Sequence, residues 1–385
     1  MKLLIYSWSS YLQQDIYAIC REKGIEYDVF PWEFEEKNQD EKFEKWFYDS
    51  VNCTQYDAVL SVNYWPMLSK VAQKRGMKYI AWCYDNPLNV INVEETLSNP
   101  VNYVFLFDRI QYAKYKDAGI DTVWHLPLGV NCTRLEHMKI SKAEYARYNA
   151  EVSFVGNLYE SKFNSILAPL NEYSKGYLEG LLEAQLQIYG YYLLDDTLSD
   201  PLLDDINRQY KTQKADTTFR LSKEALNWAM ASEVTRRERI LLLSLCGKRF
   251  DTKLYSYQDS EFIQGVKKCG AVDYVSEMPK VFACSKINLN PSLRIIQSGI
   301  PLRAFDIMGA GGFLLSNFQP ELLDFYENEK EMIFYESLED AVEKSDFYIK
   351  NEGLREKIAQ SGREKTLKEH TLQSRMEEII SIAGL

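Results

Sequence analysis

Residues 286–319 read KINLNPSLRIIQSGIPLRAFDIMGAGGFLLSNFQ. The run Ile287-Asn288-Leu289-Asn290 predicts a strand, and Gln297-Ser298-Gly299-Ile300-Pro301 a loop. A short helix is expected from about Leu302, halted by Gly309-Ala310-Gly311-Gly312, with a second apolar strand from Phe313 to Leu315. Strand, glycine-proline loop, helix, glycine stop and strand make half of a doubly wound α/β domain, in which ligands sit beyond the carboxyl ends of the strands. A helix starting after Pro301 leaves backbone N–H groups and a partial positive charge facing the loop, a seat for phosphate. Asp306, one turn further on, is spaced to accept hydrogen bonds from ribose hydroxyls. A plain βαβ corner, with turn glycines and a first-turn acid, produces the same pattern.

Outward from that stretch the chain repeats the alternation. Lys2–Tyr6 reads as a strand, Asp15–Lys23 as a helix ended by Gly24, and Glu26–Phe30 as a second strand. This is a Rossmann-like opening without G-x-G-x-x-G, so a dinucleotide has little support. Glu33–Asp49 is expected to be a charged amphipathic helix. Strands follow at Tyr56–Val62, Lys78–Cys83, Asn102–Phe107 and around Thr122–Leu126. Asp85, in Trp82-Cys83-Tyr84-Asp85-Asn86-Pro87, places a carboxylate at a strand's carboxyl end, although Asp-Asn-Pro is also ordinary turn chemistry. His125 lies in an apolar strand; imidazole titrates near neutrality and suits a general base, and a core histidine fits equally.

Six strands fill residues 1–132 as a first domain, with 133–150 as a polar linker. A second domain spans 151–369. It opens with the strand Glu151–Val155 meeting Gly156, carries a helical insertion at about 163–250, and resumes strands at Lys253–Tyr257 and Gly270–Tyr274. Residues 370–385 are expected to brace the first domain as a closing helix.

Composition narrows the class. The 385 residues exceed one hydrophobic core, and no apolar run reaches the ~18 residues of a membrane span. The seven cysteines include no C-x-x-C and read as reduced thiols of a cytoplasmic protein. Three histidines far apart argue against zinc. A net charge of −11 argues against a nucleic-acid partner.

The words Asn290-Pro291-Ser292, Ser298-Gly299-Ile300-Pro301-Leu302-Arg303-Ala304-Phe305-Asp306 and Gly309-Ala310-Gly311-Gly312-Phe313-Leu314-Leu315 resemble the donor half of GT-B glycosyltransferases. They look like the CgeB-type (spore-maturation-protein-like) group, which has a family 4-like C-terminal domain. The resemblance covers the chain from about Val152 onward. It implies two Rossmann-like doubly wound domains facing across a cleft, and metal-independent transfer of a hexose-like sugar from a nucleotide diphosphate, with no resident cofactor. The acceptor would be a protein, a glycan or another surface molecule.

The broad family carries two glutamates, on sugar and on ribose; here those positions hold Ser298 and Asp306. A glycine, a neighbouring arginine and a lysine six residues on bind the diphosphate; here they fall on Gly156, Asn157 and Lys162, leaving Arg303 to supply charge. Tyr274 and Val275 fall beside the base. Trp-x-x-Asp-x-Pro marks Asp85 as cleft-facing, so Asp85 or His125 would orient or deprotonate the acceptor. A nucleotide-sugar epimerase or a non-catalytic nucleotide-sugar-binding protein of the same fold is the alternative.

Overall fold

The structure, a computed structural model, describes residues 1–88, 90, 92–213 and 220–385. The chain divides into two compact units. Unit 1 comprises Met1–Met138, Ser298–Gly309 and Glu364–Leu385, and unit 2 comprises Lys139–Gln297 and Ala310–Arg363. The helix Leu302–Gly309 thus groups with unit 1, although the strands on either side of it belong to unit 2.

Unit 1 is built on the strands β1 (Lys2–Ser7), β2 (Glu26–Pro31), β3 (Ala58–Val62), β4 (Lys78–Trp82), β5 (Asn102–Leu106) and β6 (Val123–His125). All pair in parallel, in the order β2-β1-β3-β4-β5-β6. β3, AVLSV, is buried along its whole length because helices cover both faces of the sheet, which is why it reads as a continuous apolar run. One face packs Tyr6, Phe30, Phe43, Phe47, Leu68, Val71 and Tyr79 into a single core. On the unit's other helical layer, Leu372–Ala383 lies against Gln13–Glu22 and against β4 and β5.

The expected helix over 33–49 forms only over Glu41–Ser50. Asp40 sets its start by accepting the amide of Phe43, and the Trp32 indole donates to the same carboxylate, so the preceding charged residues form a loop.

Unit 2 holds β7 (Ala150–Val155), β8 (Thr252–Tyr255), β9 (Val266–Lys268), β10 (Ser285–Asn290), β11 (Leu314–Asn317) and β12 (Ile333–Tyr335). They form a second all-parallel sheet in the order β12-β11-β10-β7-β8-β9. The expected strand 270–274 is a turn. Gly270 takes a left-handed φ of 73° and the Asp273 side chain accepts the amide of Ser276; the strand itself lies earlier, pairing with Thr252–Leu254.

Between β7 and β8 run the helices Phe163–Leu167, Glu172–Gln187, Leu193–Thr197, Asp200–Gln213 and Lys223–Gly247. Residues 214–219 of the expected insertion lie outside the described residues. The 25-residue helix Lys223–Gly247 begins where Ser222 accepts the amide of Ala225, and it packs on Glu172–Gln187 and on Leu338–Lys350. No helix among the described residues is long and apolar enough to cross a membrane.

Candidate functional site

In unit 1 the strand order reverses beside β1, which pairs with β2 on one side and β3 on the other. The loop ends at this edge are the places where such sheets bind ligands. Trp8 is committed to structure there. Its indole donates to the carbonyl of Val62 at 2.9 Å, and its ring meets Trp65 edge-on. Asn63, just past β3, adopts φ 60°, a left-handed conformation that asparagine tolerates better than most residues.

That turn aims the Asn63 amide across to the end of β4. Its Oδ1 accepts the backbone N–H groups of Tyr84 and Asp85, at 3.0 and 3.2 Å, and its Nδ2 donates to the Asp85 carboxylate at 2.6 Å. Burial raises the Asp85 pKa, while the Asn63 hydrogen bond and the Lys37 charge pull the other way. Asp85 is therefore a fixed, half-buried carboxylate with an elevated proton affinity. Asn63 is a residue that sequence reading missed.

His125 ends β6, an edge strand, and its ring lies 6.1 Å from that of Tyr112. β5 lies between β4, which leads to Asp85, and β6.

Asp108, at the end of β5, changes the reading of the 298–306 loop. Its carboxylate caps the following helix through the amide of Gln111 (2.9 Å). It also accepts Ser298 N (3.0 Å), Ser298 Oγ (3.2 Å) and Gly299 N (3.2 Å). Of the Gly299–Leu302 backbone expected to face phosphate, the Gly299 amide is thus taken by the protein's own carboxylate, as is that of Ser298. A Cβ at Gly299 would sit 2.8–2.9 Å from Phe107 and Asp108, so only glycine allows this approach. Ser298, Gly299, Ile300, Leu302 and Asp306 are buried, and Pro301 and Arg303 half-buried. Asp306 is 2% exposed.

In unit 2 the reversal falls between β7 and β10. Gly156 leaves β7 at φ 150°, a conformation L side chains rarely adopt, and turns the chain into an exposed loop at Asn157. Gln258 holds that loop by accepting the amides of Leu158 and Tyr159 at 2.8 and 2.9 Å. Lys162 follows, exposed and without a side-chain hydrogen bond or ion pair among the described residues. Gly156 and Asn157 thus lie just past the end of β7, and Lys162 directly precedes the helix Phe163–Leu167. Tyr274 and Val275 lie in the turn before the helix Met278–Cys284, half-buried and exposed respectively.

Beneath the same edge lie two buried arginines. Arg294 donates to Glu238 at 2.8 Å and to the carbonyl of Ile188 at 3.0 Å, and stacks on Tyr189. Its charge is matched, which removes it as a free phosphate partner. Arg239 binds the carbonyls of Pro291 and Asn157. Sequence reading passed over it inside the charged run Arg236–Arg239, which resembles a solvated face.

Two all-parallel six-stranded sheets, each wound with helices, constitute the GT-B fold of two Rossmann-like domains. Residues 227–381 match the family described as "Glycosyl transferase-like". No curated protein sequence matches the chain.

Among solved structures, Anabaena HepE in complex with UDP and glucose is similar at a TM-score of 0.55 and 10% identity, covering 100% of both chains. Sucrose-phosphate synthase from Thermosynechococcus elongatus is similar at 0.55 and 12% identity, covering 99% of this chain and 98% of that one. T4 phage BGT with its UDP-glucose substrate is similar at 0.54 and 9% identity, covering 100% of this chain and 99% of that one. The family match and the fold together support a glycosyltransferase.

Proposed function

We propose that this protein transfers a sugar, of hexose type, from a nucleotide-diphosphate donor to a protein or glycan acceptor, and that it falls in the CgeB-type group. The observation that carries the reading is the β7 strand end. There a glycine turn presents an exposed, unpaired Lys162 at the switch point of a parallel sheet, within a fold shared with structures that hold UDP or UDP-glucose.

The barrier to transfer is departure of the nucleotide diphosphate from the anomeric carbon. A cation near the leaving oxygens lowers it. Lys162 is such a cation, and its lack of a carboxylate partner leaves its charge available to the diphosphate. Asp85 serves the acceptor. Desolvation raises its affinity for a proton, and Asn63 fixes its orientation, as a general base requires.

Incubating the purified protein with UDP-, GDP- and dTDP-sugars tests the proposal. Slow release of free nucleoside diphosphate supports transfer. Recovery of an isomerised nucleotide sugar supports an epimerase, and binding without turnover supports a binding protein.

A further inference from the structure

The carboxyl edge of the second sheet buries two arginines beside Glu238. Arg239 is 3% exposed, Arg294 6% and Glu238 0%. The carboxylate belongs to Arg294, at 2.8 Å, and also accepts the hydroxyls of Tyr189 (3.1 Å) and Tyr335 (3.2 Å). Arg239 makes no ion pair among the described residues. Its Nε and Nη2 donate to the carbonyl of Pro291, at 3.2 and 2.6 Å, and its Nη1 donates to that of Asn157. The guanidinium also lies over the rings of Phe154 and Tyr159, at 5.1 and 4.8 Å.

The two arginines respond differently to burial. Burial lowers the pKa of both and the Glu238 charge raises both; Arg294, bonded to that carboxylate, ends above its ordinary value, whereas for Arg239 burial outweighs the Tyr159 and Glu238 contributions. A buried cation held by carbonyl dipoles and ring faces, with no carboxylate bonded to it, gains from the approach of an anion. The carbonyls Arg239 holds are those of residues just past β10 and β7, the strands flanking the switch point. Asn157, the exposed residue above it, carries no charge of its own.

We propose that Arg239 is a positioning residue for the donor's diphosphate: it ties the ends of β7 and β10 together and sets a cation beneath the Gly156–Tyr159 loop, so that an anion seated there with Lys162 meets a second positive charge. This rests on the glycosyltransferase reading and names a residue that fold and family do not assign. The physics is long-range Coulombic attraction from a group already dry and already oriented.

Calorimetry with UDP and UMP as probes, or the guanosine or thymidine pair where those bind instead, isolates the contribution of the second phosphate. In the wild type the diphosphate binds more tightly than the monophosphate. Arg239→Gln is expected to cut that ratio about tenfold, the effect of one charge a few ångströms away in a partly buried site. Arg239→Lys, which keeps the charge, is expected to hold the ratio within about threefold. Adding Asn157→Arg to Arg239→Gln is expected to restore it.

An unchanged ratio in Arg239→Gln overturns the proposal, as does an equal loss in Arg239→Lys, which marks a purely structural strap. Should Arg239→Gln not fold, the lysine variant decides alone: a retained ratio supports the charge role, and a tenfold loss refutes it. A wild type that binds none of the diphosphates sinks the glycosyltransferase reading and this inference with it. Tight wild-type binding with an unmoved ratio sinks only the role of Arg239.

Discussion

Acidification reaches His370, which joins the helix Glu352–Glu369 to the closing helix Leu372–Ala383. Its carbonyl accepts the amide of Val130 at 3.0 Å, and its ring lies 5.5 Å from Phe305, all within unit 1. Arg375 Nη2 lies 3.1 Å from Nδ1. A guanidinium only donates, so Nδ1 must present a lone pair and the ring must be neutral. Burial, then the charges of Arg375 and Lys365, bring the His370 pKa from 6.5 down to about 4.

Below pH 6.5 the unfolded chain therefore binds a proton that the folded chain refuses, and stability falls as pH drops from 6.5 toward 4. At roughly 1.4 kcal/mol per tenfold, the full amplitude is about 3 kcal/mol. Carboxylates elsewhere titrate in the same range, so the readout is a difference. Urea unfolding of wild type and His370→Gln, followed from neutral pH to about pH 4.5, should show the wild type losing about 2 kcal/mol more. Parallel curves, within about 0.5 kcal/mol, would refute the buried neutral imidazole.

Three further outcomes are expected. Asp85→Asn should spare nucleotide binding and lower transfer by about 10²–10⁴-fold in initial-rate assays, with no loss of stability at neutral pH because a buried negative charge is removed. Glu238→Ala leaves Arg294 and two tyrosine hydroxyls without their acceptor, so chemical denaturation should report a loss of about 3–5 kcal/mol. Gly129→Ala places a methyl 2.6 Å from the carbonyl oxygen of His370, a backbone atom, and should cost about 1–3 kcal/mol by the same measurement.

The fold was legible because burial on both faces writes itself into the strands: Ala58–Val62 is buried along its whole length and Tyr79–Trp82 is apolar and buried, and Gly24, Gly76 and Gly119 stop helices at left-handed turns. Local signals failed where side chains overrode propensity, as at Asp40, which delays a helix start, and at Asp273, which turns an expected strand.

The candidate site was legible only in part. Gly156 and Lys162 announce themselves by spacing from a strand. Asp108 reads as a helix cap, and it is one, but nothing nearby shows that it also captures amides 190 and 191 residues away. Arg239 was hidden for a related reason. In sequence it sits among four charged residues, and only the packing of Phe154 and Tyr159 beneath the loop turns that position inward.

Crystallising the protein with UDP, and with GDP or dTDP if UDP does not bind, tests the account most directly. The diphosphate is expected at the end of β7, within hydrogen-bonding reach of Lys162 and over the turn at Gly156. A nucleotide seated elsewhere, with the Lys162 ammonium still in solvent, would contradict it.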